Sequence, residues 1–162
     1  MIYISDTTIL LILMSSVLLL IAFTVWSKSS RSDNKGAMTP LMLAAQAGHT
    51  DTVKSSLAQG ADLNAKNAGG WTALMFAAME GKTDTVQLLL SQGAEVNAQQ
   101  KKDWTALMLA ADFGHADTVQ ALLEKSADVN VKDIEGVTAV MIAAKKGYSE
   151  IVKLLNSVKE NC

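Results

Sequence analysis

The chain has one cysteine, one proline, two histidines and few aromatics, the last making up 5% of its residues. A lone cysteine, Cys162, forms no internal disulfide, and no second thiol is present to share a metal ion with it. Cysteine usage therefore leaves the compartment open. A basic excess is also missing: 14 Lys plus Arg face 16 Asp plus Glu, for a net charge of −2. Between Gly36 and Cys162, 11 lysines face 14 acidic residues, a net charge of about −3. Nucleic-acid binding rests on neutralising many phosphates, so this balance argues against nucleic acid as the main partner. Catalytic signals are absent too. His49 and His115 each follow a glycine, and no Ser, Cys or acidic partner repeats beside them, whereas a nucleophile and its base need mutual support. Gly69-Gly70 lacks any phosphate-loop pattern. The sequence thus shows no enzyme site, no metal or cofactor site and no site for a small-molecule substrate.

What is abundant is apolar surface: 49% of residues are hydrophobic, and mean hydropathy is positive at +0.21. A length of 162 residues suits one compact unit plus an appendage. Residues 7–26, with Thr7 and Trp26 as the ends, read TTILLILMSSVLLLIAFTVW and carry no charge. Twenty residues of helix span about 30 Å, the thickness of a bilayer's hydrocarbon core. The preceding MIYISD has no basic residue, the apolar run is long for a signal peptide, and Thr24-Val25-Trp26 is not a small-residue cleavage site. A retained transmembrane anchor over residues 1–26 is the expectation, in contact with the lipid bilayer. Lys28, Arg31 and Lys35 all follow the span, which places the remainder in the cytoplasm; a periplasmic or lumenal location is the alternative. Residues 27–34, SKSSRSDN, form a polar linker that reaches about 27 Å when extended.

From residue 35 onward the sequence repeats itself. Thr39-Pro40-Leu41-Met42-Leu43-Ala44-Ala45 returns with threonines at 72, 105 and 138, each a step of 33. Gly60-Ala61-Asp62-Leu63-Asn64 returns as Gly93-Ala94-Glu95-Val96-Asn97 and Ser126-Ala127-Asp128-Val129-Asn130. Glycines at 48, 81, 114 and 147 keep a third register. Each unit reads as a helix pair. Thr is the N-cap of a short first helix whose Ala-Ala lets a neighbour approach closely. The register glycine ends that helix in a left-handed conformation. A second helix follows, for example over 83–91, with Val86, Leu89 and Leu90 inward. One such pair cannot bury its apolar face alone, whereas a stack can. The recurring Met42, Met75, Met108 and Met141 are expected to be core. At the ends, Ser55 and Ser56 replace Leu88 and Leu89, and Asn156 replaces Leu90, as in the polar caps of a solenoid.

These motifs resemble the ankyrin-repeat family over residues 35–160. The resemblance implies a mostly α solenoid of four repeats, about 35–66, 67–99, 100–132 and 133–162, preceded by the transmembrane helix. Methionine stands where the family's first-helix motif has histidine, so local packing is expected to replace the imidazole hydrogen bonds. The family's hairpin tips and inner helix face usually carry protein contacts. Transferred to this chain, that implies a row of Met38, Trp71, Trp104 and Val137 just before each Thr. Met79 and Phe113 follow the Ala-Ala pairs and would join the two tryptophans in an apolar centre. Lys101, Lys102, Lys145 and Lys146 would form a basic rim. Buried aromatics often dominate an interface; the competing reading has Trp71 and Trp104 covering the hairpin base and packing on one another. The implied function is a non-catalytic, membrane-tethered adaptor docking a protein on this concave face. Alternatives are an accessory subunit of a membrane complex and an extracytoplasmic scaffold or chaperone for a soluble enzyme.

Overall fold

A computed structural model describes residues 37–159. The expected anchor, the linker and the first and last residues of the expected repeat region lie outside the described residues. Among those described, no helix is long and apolar enough to cross a membrane.

The described chain is helical, with eight helices and no strand among its residues. They form four pairs: α1 (Pro40–Ala47) with α2 (Thr50–Ala58), α3 (Ala73–Met79) with α4 (Thr83–Ser91), α5 (Ala106–Asp112) with α6 (Ala116–Glu124), and α7 (Ala139–Lys146) with α8 (Ser149–Lys159). First helices pack closely on first helices of the next unit, and second helices less closely.

Local chemistry starts each first helix. The Oγ1 atoms of Thr39, Thr72 and Thr105 accept from the backbone N–H three residues on, at 3.2, 3.3 and 3.3 Å. Those N–H groups would otherwise be orphans of the first turn. Thr138 enters α7 with the same extended backbone but makes no cap bond, and its buried hydroxyl has no hydrogen-bond partner. In the first unit Met42 Sδ accepts from the Thr39 N–H at 3.4 Å. Packing alone therefore does not replace the family's imidazole there; a weak thioether acceptor contributes.

Helix ends are set by αL residues. Gly48 and Gly147 cap α1 and α7 at φ 77° and 82°, and Gly81 and Gly114 follow α3 and α5 at φ 62° and 78°. Two non-glycine residues hold the same conformation: Asp103 at φ 60° and Ser126 at φ 61°.

The core runs along the stack. Leu41, Leu74 and Leu107 are buried with Met42, Met75 and Met108, and Ala45, Ala77, Ala78, Ala110, Ala111 and Ala143 are sealed between first helices. Burying a side chain of leucine size contributes about 1.5–3 kcal/mol, so each unit depends on its neighbours for most of its stabilisation. Val86, Leu89 and Leu90 point inward from α4 as their spacing predicts. Met141 departs from the methionine register: it is 54% exposed while the other three are about 1% exposed. No unit follows α7 and α8 among the described residues to cover it.

Polar side chains join successive units. Asn64 Oδ1 accepts from the Glu95 N–H at 3.0 Å, and Asn97 Oδ1 accepts from the Asp128 N–H at 2.9 Å. The Asn of the second repeating motif is thus an inter-unit brace.

Candidate protein-docking face

The loops before α3, α5 and α7 are small hairpins closed at a fixed position. Asn67 N–H donates to Trp71 O at 3.1 Å, Gln100 N–H to Trp104 O at 3.1 Å, and Asp133 N–H to Val137 O at 3.0 Å. The side chains at the same register tighten the turn. Asn67 Oδ1 accepts from the N–H groups of Gly69 and Trp71 at 2.9 and 3.0 Å. Asp133 Oδ1 accepts from those of Glu135 and Val137 at 2.9 and 2.8 Å. Gln100 Oε1 accepts from the Lys102 N–H at 2.7 Å. These turns fix where Trp71, Trp104 and Val137 leave the backbone, a role the sequence reading had not given to Asn67, Gln100 or Asp133.

Met38, Trp71, Trp104 and Val137 are all half-buried and packed against the core. The two tryptophans are held differently. The Trp71 ring stacks on Phe76, with centroids 5.1 Å apart and planes at 28°. The Trp104 indole N–H donates to Asp133 Oδ2 at 3.1 Å, in the next unit. Each ring thus has one side committed to the fold and is less solvent-facing than its place in the sequence implied.

Met79 is half-buried at the end of α3, and its carbonyl lies 3.0 Å from His115 Nε2. The His115 ring in turn lies parallel to Phe113, at 6.4 Å between centroids and 9° between planes. His115 therefore links Met79 and Phe113 across two units. Phe113 itself is 52% exposed. One period either side stand Glu80 and Lys146, both exposed, so this aromatic lies in an otherwise charged row.

The lysines sit on two different elements. Lys101 and Lys102 occupy the hairpin tip before α5, where Lys101 N–H donates to Gly69 O at 3.0 Å and Lys102 O accepts from the Ile134 N–H at 3.3 Å. Lys145 and Lys146 lie in the last turn of α7, where positive charge complements the helix dipole. Lys146 Nζ pairs with Asp112 Oδ1 at 3.0 Å, so part of its charge is matched within the fold.

His115 belongs to a ladder the sequence reading missed. A Cβ built at Gly48 would lie 2.8 Å from Lys82 Cδ, one at Gly81 2.5 Å from His115 Nδ1, and one at Gly114 2.7 Å from Tyr148 Cζ. Lys82, His115 and Tyr148 share one register, and each lies over the glycine of the preceding unit.

A search of curated proteins found no match to the chain. A family model described as ankyrin repeats (3 copies) matches residues 12–100 and again 92–162. Together the two matches span far more than half of the sequence, and the chain belongs to the ankyrin-repeat family.

Proposed function

We propose that this protein is a non-catalytic, membrane-tethered adaptor that docks a partner protein on its first-helix face. Ankyrin repeats generally mediate protein–protein interaction. The observation that carries the choice of face is Phe113, an aromatic 52% exposed at the C-terminal end of the first helix α5. Its only ring contact among the described residues is His115, so it contributes little to the core. The half-buried faces of Trp71, Trp104 and Met79 extend the candidate centre, with Met38 and Val137 completing the row. Lys101, Lys102 and Lys145 supply peripheral charge, with Lys146 partly neutralised. A partner with an apolar anchor and acidic flanks fits this composition.

The apolar segment over residues 7–26 is the proposed tether, with the repeats on the cytoplasmic side. Confinement to a bilayer surface raises the effective concentration for membrane-associated partners, which lets weak contacts suffice.

The test is crosslinking capture from membranes with the full chain and a Phe113→Glu variant. The expected result is one abundant crosslinked protein, reduced at least tenfold by the substitution while helical content is unchanged. Equal capture by both proteins would overturn the assignment of this face. Reporter fusions after Cys162 read out the side of the membrane, and an extracytoplasmic signal would overturn the cytoplasmic placement. Replacing residues 7–26 by an unrelated span should preserve capture if the segment is only a tether.

A further inference from the structure

Three features recur at every internal junction between units. A methionine at 42, 75 or 108 is about 1% exposed beneath the following unit. In the unit that follows each of them, the apolar residue one register position later, Phe76, Leu109 or Ile142, is buried. The side chain at 82, 115 or 148 covers the glycine of the unit before it.

Both ends of the described stack keep these features without a mate. At the C-terminal end Met141 is 54% exposed, and Ala144 is exposed where Ala45, Ala78 and Ala111 are fully buried. Gly147 holds φ +82°, and nothing lies within 4 Å of where its Cβ would be. At the N-terminal end Leu43 is 53% exposed where Phe76, Leu109 and Ile142 are buried. His49, at the register of Lys82, His115 and Tyr148, lies over no glycine among the described residues. The C-terminal face is thus shaped for a unit of this same period, with an apolar residue at the Leu43 register and a long side chain at the His49 register. This chain's own first unit supplies both.

We infer that the C-terminal face of one copy docks the N-terminal face of a second copy, continuing the repeat junction across the molecular boundary. Leu43 of the second copy packs on Met141 and Ala144, and His49 of the second copy covers Gly147. Met79, whose carbonyl meets His115, has Lys145 as its counterpart two periods on. The His49 Nε2 of the second copy accordingly reaches the Lys145 carbonyl. The contact is heterologous, so each added copy leaves one free face of each kind. It is separate from the Phe113 face and does not depend on it.

The test uses tagged and untagged full-length chains, co-expressed and purified in detergent. Wild-type copies should co-purify. Two Met141→Arg copies both lack a C-terminal face and should co-purify at least tenfold less. Tagged Met141→Arg and untagged Leu43→Arg together retain one good face of each kind, so this pair should return to the wild-type level. Both substitutions fall at exposed positions, and recovery in the mixed pair shows that each variant is folded. Absence of wild-type co-purification, or equal recovery of the Met141→Arg pair, would overturn the inference. So would failure of the mixed pair when each variant retains wild-type helical content.

Discussion

His115 Nε2 lies 3.0 Å from the carbonyl oxygen of Met79, and the same imidazole sits so close above Gly81 that a methyl group there would fall 2.5 Å from Nδ1. One side chain thereby joins the end of α3 to the start of α6, and the glycine between them is required on two counts.

Gly81→Ala should therefore cost more than the left-handed conformation alone, which is about 1–2 kcal/mol for an alanine. Gly93→Ala is the control, because its φ of 90° also lies on the left-handed side and nothing lies within 4 Å of the new methyl. Urea unfolding monitored by circular dichroism should place Gly81→Ala below Gly93→Ala. Equal midpoints would mean that His115 moves aside at no cost.

Ser126 and Asp103 offer the reverse experiment. Both hold φ near 60° at registers where other units have glycine: Gly60 and Gly93 for Ser126, Gly70 and Gly136 for Asp103. Ser126→Gly should raise stability by up to about 1 kcal/mol, the relieved backbone strain less the greater entropy of an unfolded glycine. The readout is the urea midpoint at unchanged slope.

Removing the indole donor of Trp104 isolates its bond to Asp133. Trp104→Phe keeps an aromatic ring but leaves Asp133 Oδ2 without the N–H that lies 3.1 Å away. Because Asp133 is buried, the loss should be about 1–3 kcal/mol. Hydrogen exchange at the Glu135 and Val137 amides should accelerate only if the turn loosens with it. Asp133→Ala, which removes their acceptor outright, sets the upper limit.

Two threonine substitutions test the caps. Thr105→Val loses a bond at 3.3 Å to the Met108 N–H and should cost about 1 kcal/mol. Thr138→Val removes a buried hydroxyl that has no partner and should be neutral or stabilising. A cost at Thr138 equal to that at Thr105 would mean that the fourth cap forms in solution.

The methionines give the widest contrast. Met108→Ala should cost about 2–5 kcal/mol, as expected for a fully buried side chain. Met141→Ala should change stability by less than about 0.5 kcal/mol, as at an ordinary surface position. Thermal unfolding of the two variants side by side decides it.

The period and its helices were legible because the residues that build them recur by type. Val86, Leu89 and Leu90 are buried as their spacing implied, and the second helix of that unit runs over Thr83–Ser91. What stayed hidden are positions where one task falls to different side chains. Asn67, Gln100 and Asp133 all brace a hairpin, yet no shared residue type marks them. Lys82, His115 and Tyr148 cover a glycine apiece through contacts about one period apart, which no local pattern records. The opposite failure occurs at Met141, identical in type and register to Met108 but exposed, since burial in a stack depends on what comes next. Trp71 and Trp104 combine both effects: the same residue at the same register meets Phe76 in one unit and Asp133 across a junction in the other.

The glycine ladder also bears on how such a chain changes length. Every seam joins the same backbone pocket to whichever long side chain arrives from the following unit, and a lysine, an imidazole and a phenol already occupy it in turn. A gene losing the 33-residue block 49–81 would bring His115 to the place of Lys82 and keep a long side chain over Gly48. A loss of any other size in that span would break several pairings at once. The molecule can therefore be shortened or extended in whole steps far more readily than it can be altered within one.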